Sequence, residues 1–118
     1  MAVTVYTYRS CDSCRRAVRW LQDQRIDFVE KPIREEPPPA QALARALAAA
    51  GGDGRRVFNT SGRDYRALAL GPQLAGYSEA EKIALLRSNG NLVRRPFLVT
   101  QTQVIAGFDE TAWRDAIG

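Results

Sequence analysis

The first third of the chain contains two β-prone runs separated by a helical pattern, and this order restricts the fold more than any other feature. Residues 3–8 (VTVYTY) predict a strand, and residues 12–25 place apolar side chains at helical spacing. Residues 25–33 (RIDFVEKPI) predict a second strand that ends near Pro32. A strand, a helix and a strand in this order form a βαβ unit, whose strands pair in parallel with the helix packed across them.

The middle of the chain is predicted to be helical. Three prolines at 37–39 suit the first turn of a helix, and the alanine- and leucine-rich segment that follows stops at the Gly51-Gly52 pair.

Two more helices are predicted farther along. One covers residues 63–69, and the other covers residues 78–88, where Ser78 and Glu81 have the spacing of a capping box. Residues 34–90 are therefore expected to form a mostly helical insert.

The sheet resumes after this insert. Residues 96–100 (PFLVT) and 103–106 (QVIA) are close enough in sequence to form a hairpin. Asp109 can cap a last helix that carries Trp113 on its apolar face, together with Ala116 and Ile117.

The order β-α-β, helices, β-β-α is that of an α/β protein with the thioredoxin/glutaredoxin-like fold and a helical insertion. At 118 residues the chain is expected to be a single domain. Its thioredoxin-like core would comprise residues 1–33 and 91–118, and the insert would comprise about 34–90.

Composition restricts the compartment and the partners. The longest apolar runs fall well short of the roughly 20 residues of a membrane span, and the N-terminus lacks the pattern of a signal peptide. We therefore expect a cytoplasmic protein that does not bind membranes, in a compartment where structural disulfides are rare. The net charge of +4 comes from arginines that are scattered along the chain, which does not predict direct DNA binding.

Two cysteines, Cys11 and Cys14, stand at the junction between the first strand and the first helix, and the chain has no histidine. A structural zinc site needs four ligands, which one cysteine pair without histidine does not supply, so no metal is expected. Cys14 lies on the predicted apolar face of the helix, so a buried structural role is open for it. That face is expected to consist of Ala17, Val18, Leu21 and Arg25. Cys11 lies in a polar loop, where this role fits poorly.

Redox or nucleophilic chemistry is the third interpretation of the pair. A helix that starts at about residue 12 would direct its free N–H groups and the positive end of its dipole at Cys11. Arg9, Arg15 and Arg16 would add positive charge, and such surroundings lower the pKa of a thiol. Cys14, one turn later, is placed to attack an adduct on Cys11.

A second feature is the segment NLVRRPFLV (91–99), in which Pro96 opens a strand. Arg95 would then project toward the pocket of the thiols. The alternative is an ordinary surface pair of arginines, Arg94 and Arg95, at the start of a strand.

Three segments together resemble the arsenate reductase (ArsC)/Spx family: VTVYTYRSCDSCRRAVRWL, LVRRPFLV and VIAGFDETAW. The resemblance covers essentially the whole chain and implies a thioredoxin-like fold with a helical insertion, in which a cis proline faces the reactive thiol. For the arsenate reductases it implies that Cys11 is the catalytic thiolate that attacks arsenate. Arg95 would hold the oxyanion, and a small thiol or Cys14 would resolve the adduct and release arsenite.

The sequence departs from the reductase pattern in two places. Ser61 stands where these reductases use an arginine in a mid-chain loop, and Gly107 and Phe108 stand where they use one in the last hairpin. Arg63 and Arg94 are the candidates to replace them. The predicted anion-binding residues are therefore Ser13, Arg15, Arg63, Arg94 and Arg95.

No tightly bound cofactor is expected. The electron donor implied by the resemblance is a small thiol (glutathione, mycothiol or bacillithiol) or a thioredoxin or glutaredoxin. The alternative function is that of an Spx-like redox-sensing transcriptional regulator, which binds the RNA polymerase α subunit and uses the C-x-x-C pair as its switch.

Overall fold

A four-stranded mixed sheet forms the centre of the computed structural model, which describes residues 2–117. Its strands are β1 (Thr4–Thr7), β2 (Val29–Pro32), β3 (Phe97–Val99) and β4 (Val104–Ala106), in the spatial order β2-β1-β3-β4. β1 pairs in parallel with β2 and antiparallel with β3, and β3 pairs antiparallel with β4. The predicted βαβ unit and the predicted hairpin are thus both confirmed.

Six α-helices accompany the sheet within the described residues, and three short 3₁₀ helices lie between them. The α-helices are α1 (Asp12–Asp23), α2 (Ala40–Ala49), α3 (Arg63–Ala67), α4 (Leu70–Gln73), α5 (Glu79–Ser88) and α6 (Glu110–Ile117). The 3₁₀ helices are Gly54–Arg56, Leu74–Gly76 and Gly90–Leu92. Residues 34–90 thus contribute helices and one isolated bridge, from Phe58 to Val93.

The connection between α1 and β2 differs from the sequence prediction. The helix ends at Asp23 rather than at residue 25, and Arg25 adopts a left-handed conformation with φ 57° instead of joining the apolar helix face. The amide of Ile26 donates to the carbonyl of Leu21, which closes the turn. β2 consequently begins only at Val29, because residues 24–28 are used to reverse the chain.

The residues that precede α2 and α5 determine where these two helices of the insert begin. The prolines precede α2 instead of forming its first turn, and Pro39 is its N-cap. α5 has the predicted capping box: the amide of Ser78 donates to a Glu81 carboxylate oxygen at 2.8 Å, and the amide of Glu81 donates to the Ser78 hydroxyl at 3.1 Å. Asp109 caps the last helix by accepting a hydrogen bond from the amide of Ala112 at 3.2 Å.

The sheet separates two clusters of buried side chains, because successive strand residues point to opposite faces. On one face, Val5 and Leu98 pack with α1 and α6, including Trp113. On the other face, Tyr6 and Phe97 pack with residues of the insert. This is the thioredoxin-like arrangement of a sheet between helical layers, and the helical insertion forms much of the second layer.

None of the helices in residues 2–117 is both long enough and apolar enough to span a lipid bilayer.

Gly90 lies where the chain passes against the end of β2, and it provides a test of this packing. A Cβ at Gly90 would overlap the carbonyl oxygen of Ile33 and lie 2.8 Å from the Cα of Arg34. We expect Gly90→Ala to lower the free energy of unfolding by about 1–3 kcal/mol or more, as for other overpacked sites. Urea denaturation followed by tryptophan fluorescence measures the change.

Gly76→Ala is the matched control, because a Cβ there would meet no atom within 4 Å. We expect it to change stability by less than about 0.5 kcal/mol. Equal unfolding midpoints for the two variants would contradict the close approach at Gly90.

Candidate active site

Cys11 is the N-cap residue of α1. Its backbone is extended, with φ −99° and ψ 118°, and its sulfur accepts a hydrogen bond from the amide of Cys14 at 3.3 Å. Serine, threonine, aspartate or asparagine usually accepts this bond, so the sulfur occupies a position that favours an acceptor with negative charge. The structure therefore places Cys11 at the positive end of a twelve-residue helix, as the sequence predicted.

The surroundings of Cys11 lower the pKa of its thiol. Partial burial is the largest influence and acts in the opposite direction, since it disfavours the charged form. Hydrogen bonds from the Cys14 side chain, from the Ser13 hydroxyl at 3.4 Å and from the Cys14 amide, together with the charge of Arg95, outweigh burial. The result is a thiol that ionises more readily than free cysteine, without any imidazole nearby.

Cys14 has the opposite character. Its side chain is 2% exposed, and burial together with the hydrogen bond to Cys11 raises its pKa to about 12. It is therefore a neutral thiol that can donate a hydrogen bond to the Cys11 thiolate. Both cysteines are free, and no group of three or more metal-ligating side chains is present in residues 2–117.

The positive charge that acts on Cys11 comes from Arg95, not from the arginines beside it in sequence. Arg15 forms an ion pair with Asp12 and donates to the carbonyl of Arg9 at 2.8 Å. The arginines that flank the thiols in sequence were expected to activate them, but Arg15 is held at the exposed surface of α1, where its charge is shared with Asp12.

Arg95 comes from the segment just before β3, whose first residue, Phe97, pairs with Tyr6 near the end of β1. The peptide bond between Arg95 and Pro96 is cis. The guanidinium carbon of Arg95 lies 5.0 Å from the centre of the Tyr8 ring, and its Nη1 is shielded from solvent without an acceptor in the described part of the chain. A buried guanidinium N–H group without a partner is costly, so this donor is suited to receive an anion.

Tyr8 and Arg34 complete this environment, and neither was predicted from the sequence. The Tyr8 carbonyl accepts from the Cys11 amide at 3.0 Å, and its ring lies 5.1 Å from the guanidinium carbon of Arg34. Arg34 also donates to the Tyr8 hydroxyl at 3.1 Å. The available signal was positional: Tyr8 directly follows β1 and Arg34 lies two residues after the end of β2, and the carboxyl ends of parallel strands lie at one edge of a sheet.

A cleft of about 310 Å³ lies beside Tyr8 and Arg95. Three arginines (Arg34, Arg63 and Arg95) line it together with Tyr8 and Asp64. The predicted site residue Arg63 is thus brought to the same cleft as Arg95, from a helix far away in sequence.

Arg94, the last of the predicted anion-binding residues, points elsewhere. It is exposed, and its Nε lies 3.0 Å from the position that a Cβ atom would occupy at Gly107. The structure therefore brings Ser13, Cys14 and Arg95 to Cys11, while Arg94 lies beside the last hairpin.

Comparison with known proteins agrees with this geometry. A family model described as the ArsC family matches residues 6–116. The chain belongs to the ArsC family. This membership, together with the thioredoxin-like fold, places the chain among proteins of the thiol oxidoreductase kind.

The individual relatives include an uncharacterized protein, a transcriptional regulator and a possible arsenate reductase. The uncharacterized protein YusI of Bacillus subtilis is 36% identical over 98% of both chains, and the global transcriptional regulator Spx of Enterococcus faecalis is 30% identical over 92% of this chain and 80% of its own. Among solved structures, a protein described as a possible arsenate reductase from Streptococcus mutans is 37% identical with a TM-score of 0.87. That match covers 97% of this chain and 96% of the other.

The pKa of Cys11 can be measured from the pH dependence of its alkylation by iodoacetamide, with mass spectrometry to identify the modified residue. We expect the midpoint to lie below the ordinary value of 9.0. Cys14→Ala should raise this midpoint because it removes the side-chain donor, and Arg95→Ala should raise it because it removes the positive charge. Arg16→Ala, which alters an exposed arginine of the same helix, is the control and should leave the midpoint unchanged. A midpoint that moves in neither Cys14→Ala nor Arg95→Ala would contradict the proposed stabilisation of the Cys11 thiolate.

Tyr8 is expected to act as a positioning residue for Arg95. Tyr8→Leu removes the ring that holds the guanidinium, an interaction of about 0.5–1 kcal/mol or more, and should raise the alkylation midpoint of Cys11. Tyr8→Phe keeps the ring and loses only the hydroxyl that Arg34 contacts, so it should leave the midpoint unchanged. Equal midpoints in the two variants would show that the ring does not position Arg95.

Proposed function

We propose that the protein is an arsenate-reductase-type thiol oxidoreductase that reduces arsenate to arsenite, with Cys11 as the catalytic nucleophile. One observation carries the proposal: the Cys11 thiol at the start of α1, whose pKa is lowered by its surroundings, lies near the charge of Arg95, whose shielded Nη1 has no acceptor in residues 2–117. A helix N-terminus that stabilises a thiolate also favours an incoming oxyanion.

In the first step the Cys11 thiolate attacks the arsenic atom. A sulfur–arsenic bond forms, and one arsenate oxygen leaves as water after taking up protons, so arsenic remains in the +5 state. Arg95 and the Ser13 hydroxyl are the side chains placed to donate hydrogen bonds to the oxyanion. Charge-assisted hydrogen bonds of this kind contribute about 1.5–3 kcal/mol each.

In the second step Cys14 resolves the adduct. Once the Cys11 sulfur is bonded to arsenic, it no longer carries the negative charge that contributes to the raised pKa of Cys14. The Cys14 thiol passes its proton to an arsenic-bound oxygen of the adduct. Its sulfur attacks the Cys11 sulfur, and the electron pair of the sulfur–arsenic bond moves to arsenic. Arsenite leaves with arsenic in the +3 state, and the two cysteines are oxidised to a disulfide.

Arg94 supports this function at the position where the sequence departs from the reductase pattern. Gly107 stands where the reductases that the chain resembles carry an arginine, and the Arg94 side chain lies next to it. We infer that Arg94 restores a positive charge to this hairpin, while Arg95 remains the arginine whose charge acts on Cys11. The oxidised pair is then reduced by an external thiol, either a small thiol or a thioredoxin or glutaredoxin.

The test is turnover of arsenate by the purified chain, with arsenite detected directly and the Cys11–Cys14 pair reduced by excess thiol. We expect Cys11→Ser to abolish turnover and Arg95→Ala to lower kcat/KM by roughly 10- to 150-fold, the equivalent of one charge-assisted hydrogen bond. Arg56→Ala changes an exposed arginine outside the site and should have no effect. Turnover that survives in Cys11→Ser would overturn the mechanism.

A second candidate function rests on the similarity to Spx. In this case a Cys11–Cys14 disulfide would change the surface that binds the RNA polymerase α subunit. Absence of arsenate turnover, combined with retention of purified α subunit by only one redox form of the chain, would favour this function over the reductase.

A further inference from the structure

We propose that the free edge of β4, together with the apolar groove beside it, binds an extended acidic segment of a partner protein, which adds a strand to the sheet. β4 stands last in the order β2-β1-β3-β4, so one of its sides has no neighbouring strand within residues 2–117. Neither cysteine borders the groove, and the inference therefore does not rest on the proposed function.

The hydrogen-bond pattern leaves backbone groups free on the outer side of β4. The amide of Gly107 donates to the carbonyl of Pro96 at 2.7 Å, so Gly107 faces β3. Backbone groups of successive residues in a strand face opposite sides, so those of Val104 and Ala106 point away from β3. Neither residue has a backbone hydrogen bond to a loop or helix in the described part of the chain. They offer a partner strand two donors and two acceptors.

The opposite edge of the sheet is protected against such pairing. β2 carries Glu30 and Lys31 and ends at Pro32, which has no N–H group to donate. Charged residues and proline are common means by which proteins prevent an edge strand from pairing. β4 has the sequence Val-Ile-Ala and contains neither. It is therefore the edge of this sheet that can accept another strand.

An apolar groove of about 170 Å³ lies beside the free edge of β4. Ala46, Ala49 and Ala50, at the end of α2, form one side of it, and Val104 and Ala106 face the same layer of the core. A side chain opposite Val104 or Ala106 on an added strand would point to this side. The groove is smaller than the roughly 300 Å³ of the smallest usual ligand pockets, so it suits the side chains of a strand.

The charges around the edge indicate which strand would bind. Arg56 borders the groove, and Arg94 lies beside Gly107, directly after β4; both arginines are exposed. Neither belongs to an ion pair within residues 2–117, and no acidic residue lines the groove. A second copy of the chain would bring its own arginines to this edge, and like charges repel. An acidic segment would instead place carboxylates beside them.

These features specify a sequence pattern for the partner. In strand addition, main-chain hydrogen bonds provide affinity, and pockets for alternate side chains provide specificity. Three residues of an extended segment can pair with β4, and the first and third of them would lie over the groove. Small apolar or β-branched residues fit these two positions, and acidic residues on either side of the three would lie near the arginines.

The pattern can be tested with the peptide Glu-Val-Thr-Val-Glu, acetylated and amidated at its ends. It is titrated into the isotope-labelled, reduced chain while backbone amide shifts are followed by NMR. We expect saturable shifts at Val104 and Ala106 and slower hydrogen exchange of these two amides. Replacing both glutamates by lysine should raise the Kd at least about fivefold, because attraction becomes repulsion. Arg56→Glu should reduce the ratio of these two Kd values.

Methylation of peptide nitrogens tests the strand pairing without altering the protein. Methyl groups on the nitrogens of both valines remove the N–H groups that would face Val104 and Ala106, and should raise the Kd about tenfold or more, the loss of two hydrogen bonds. The matched control is a methyl group on the threonine nitrogen, whose N–H would point away from β4. This peptide should bind with a nearly unchanged Kd.

Equal Kd values for the two kinds of methylated peptide would overturn strand addition, and so would the absence of saturable shifts at β4. Equal Kd values for the glutamate and lysine peptides would overturn the acidic partner. Shifts of Val104 and Ala106 that depend on the concentration of the chain alone would assign this edge to a second copy, and would also overturn the inference.

Discussion

The sulfur of Cys11 occupies the point where α1 begins, and the rest of the site is arranged around the hydrogen bond that it accepts from the Cys14 amide. This bond uses a backbone donor that has no partner within the helix, and it ties the thiolate to the positive end of the helix dipole. It also fixes the separation of the two cysteines, since the amide and the thiol of the same residue, Cys14, both face Cys11. The chemistry of the pair is therefore inseparable from the start of the helix.

The two thiols differ because their surroundings differ, although they are one helical turn apart. Cys11 is half-buried among donors and near a guanidinium group, whereas Cys14 is packed on the buried side of α1. The first environment stabilises a thiolate, and the second stabilises a neutral thiol. This asymmetry assigns separate roles to two identical side chains, and it supports attack by Cys11 and later resolution by Cys14.

Features that depend on short stretches of sequence were predictable. The βαβ order, the closing hairpin, the capping box of α5 and the position of Cys11 at a helix start all follow from neighbouring residues. The errors also have a local cause: Arg25 matches the helical periodicity, but the chain reverses direction there in a left-handed conformation. The expectation that Arg15 would activate the thiol missed its ion pair with Asp12, which competes for the same guanidinium group.

By itself the sequence determined the reactive sulfur, because a helix N-terminus is built from consecutive residues and needs no distant partner. Only the tertiary structure decided which charges surround that sulfur. Tyr8 and Arg34 meet because parallel strands end at one edge of the sheet, and Arg95 and Arg63 arrive from segments far away in sequence. Electrostatic interactions depend on distance in space, so the charge that acts on Cys11 comes from Arg95 and not from the arginines beside Cys11 in sequence.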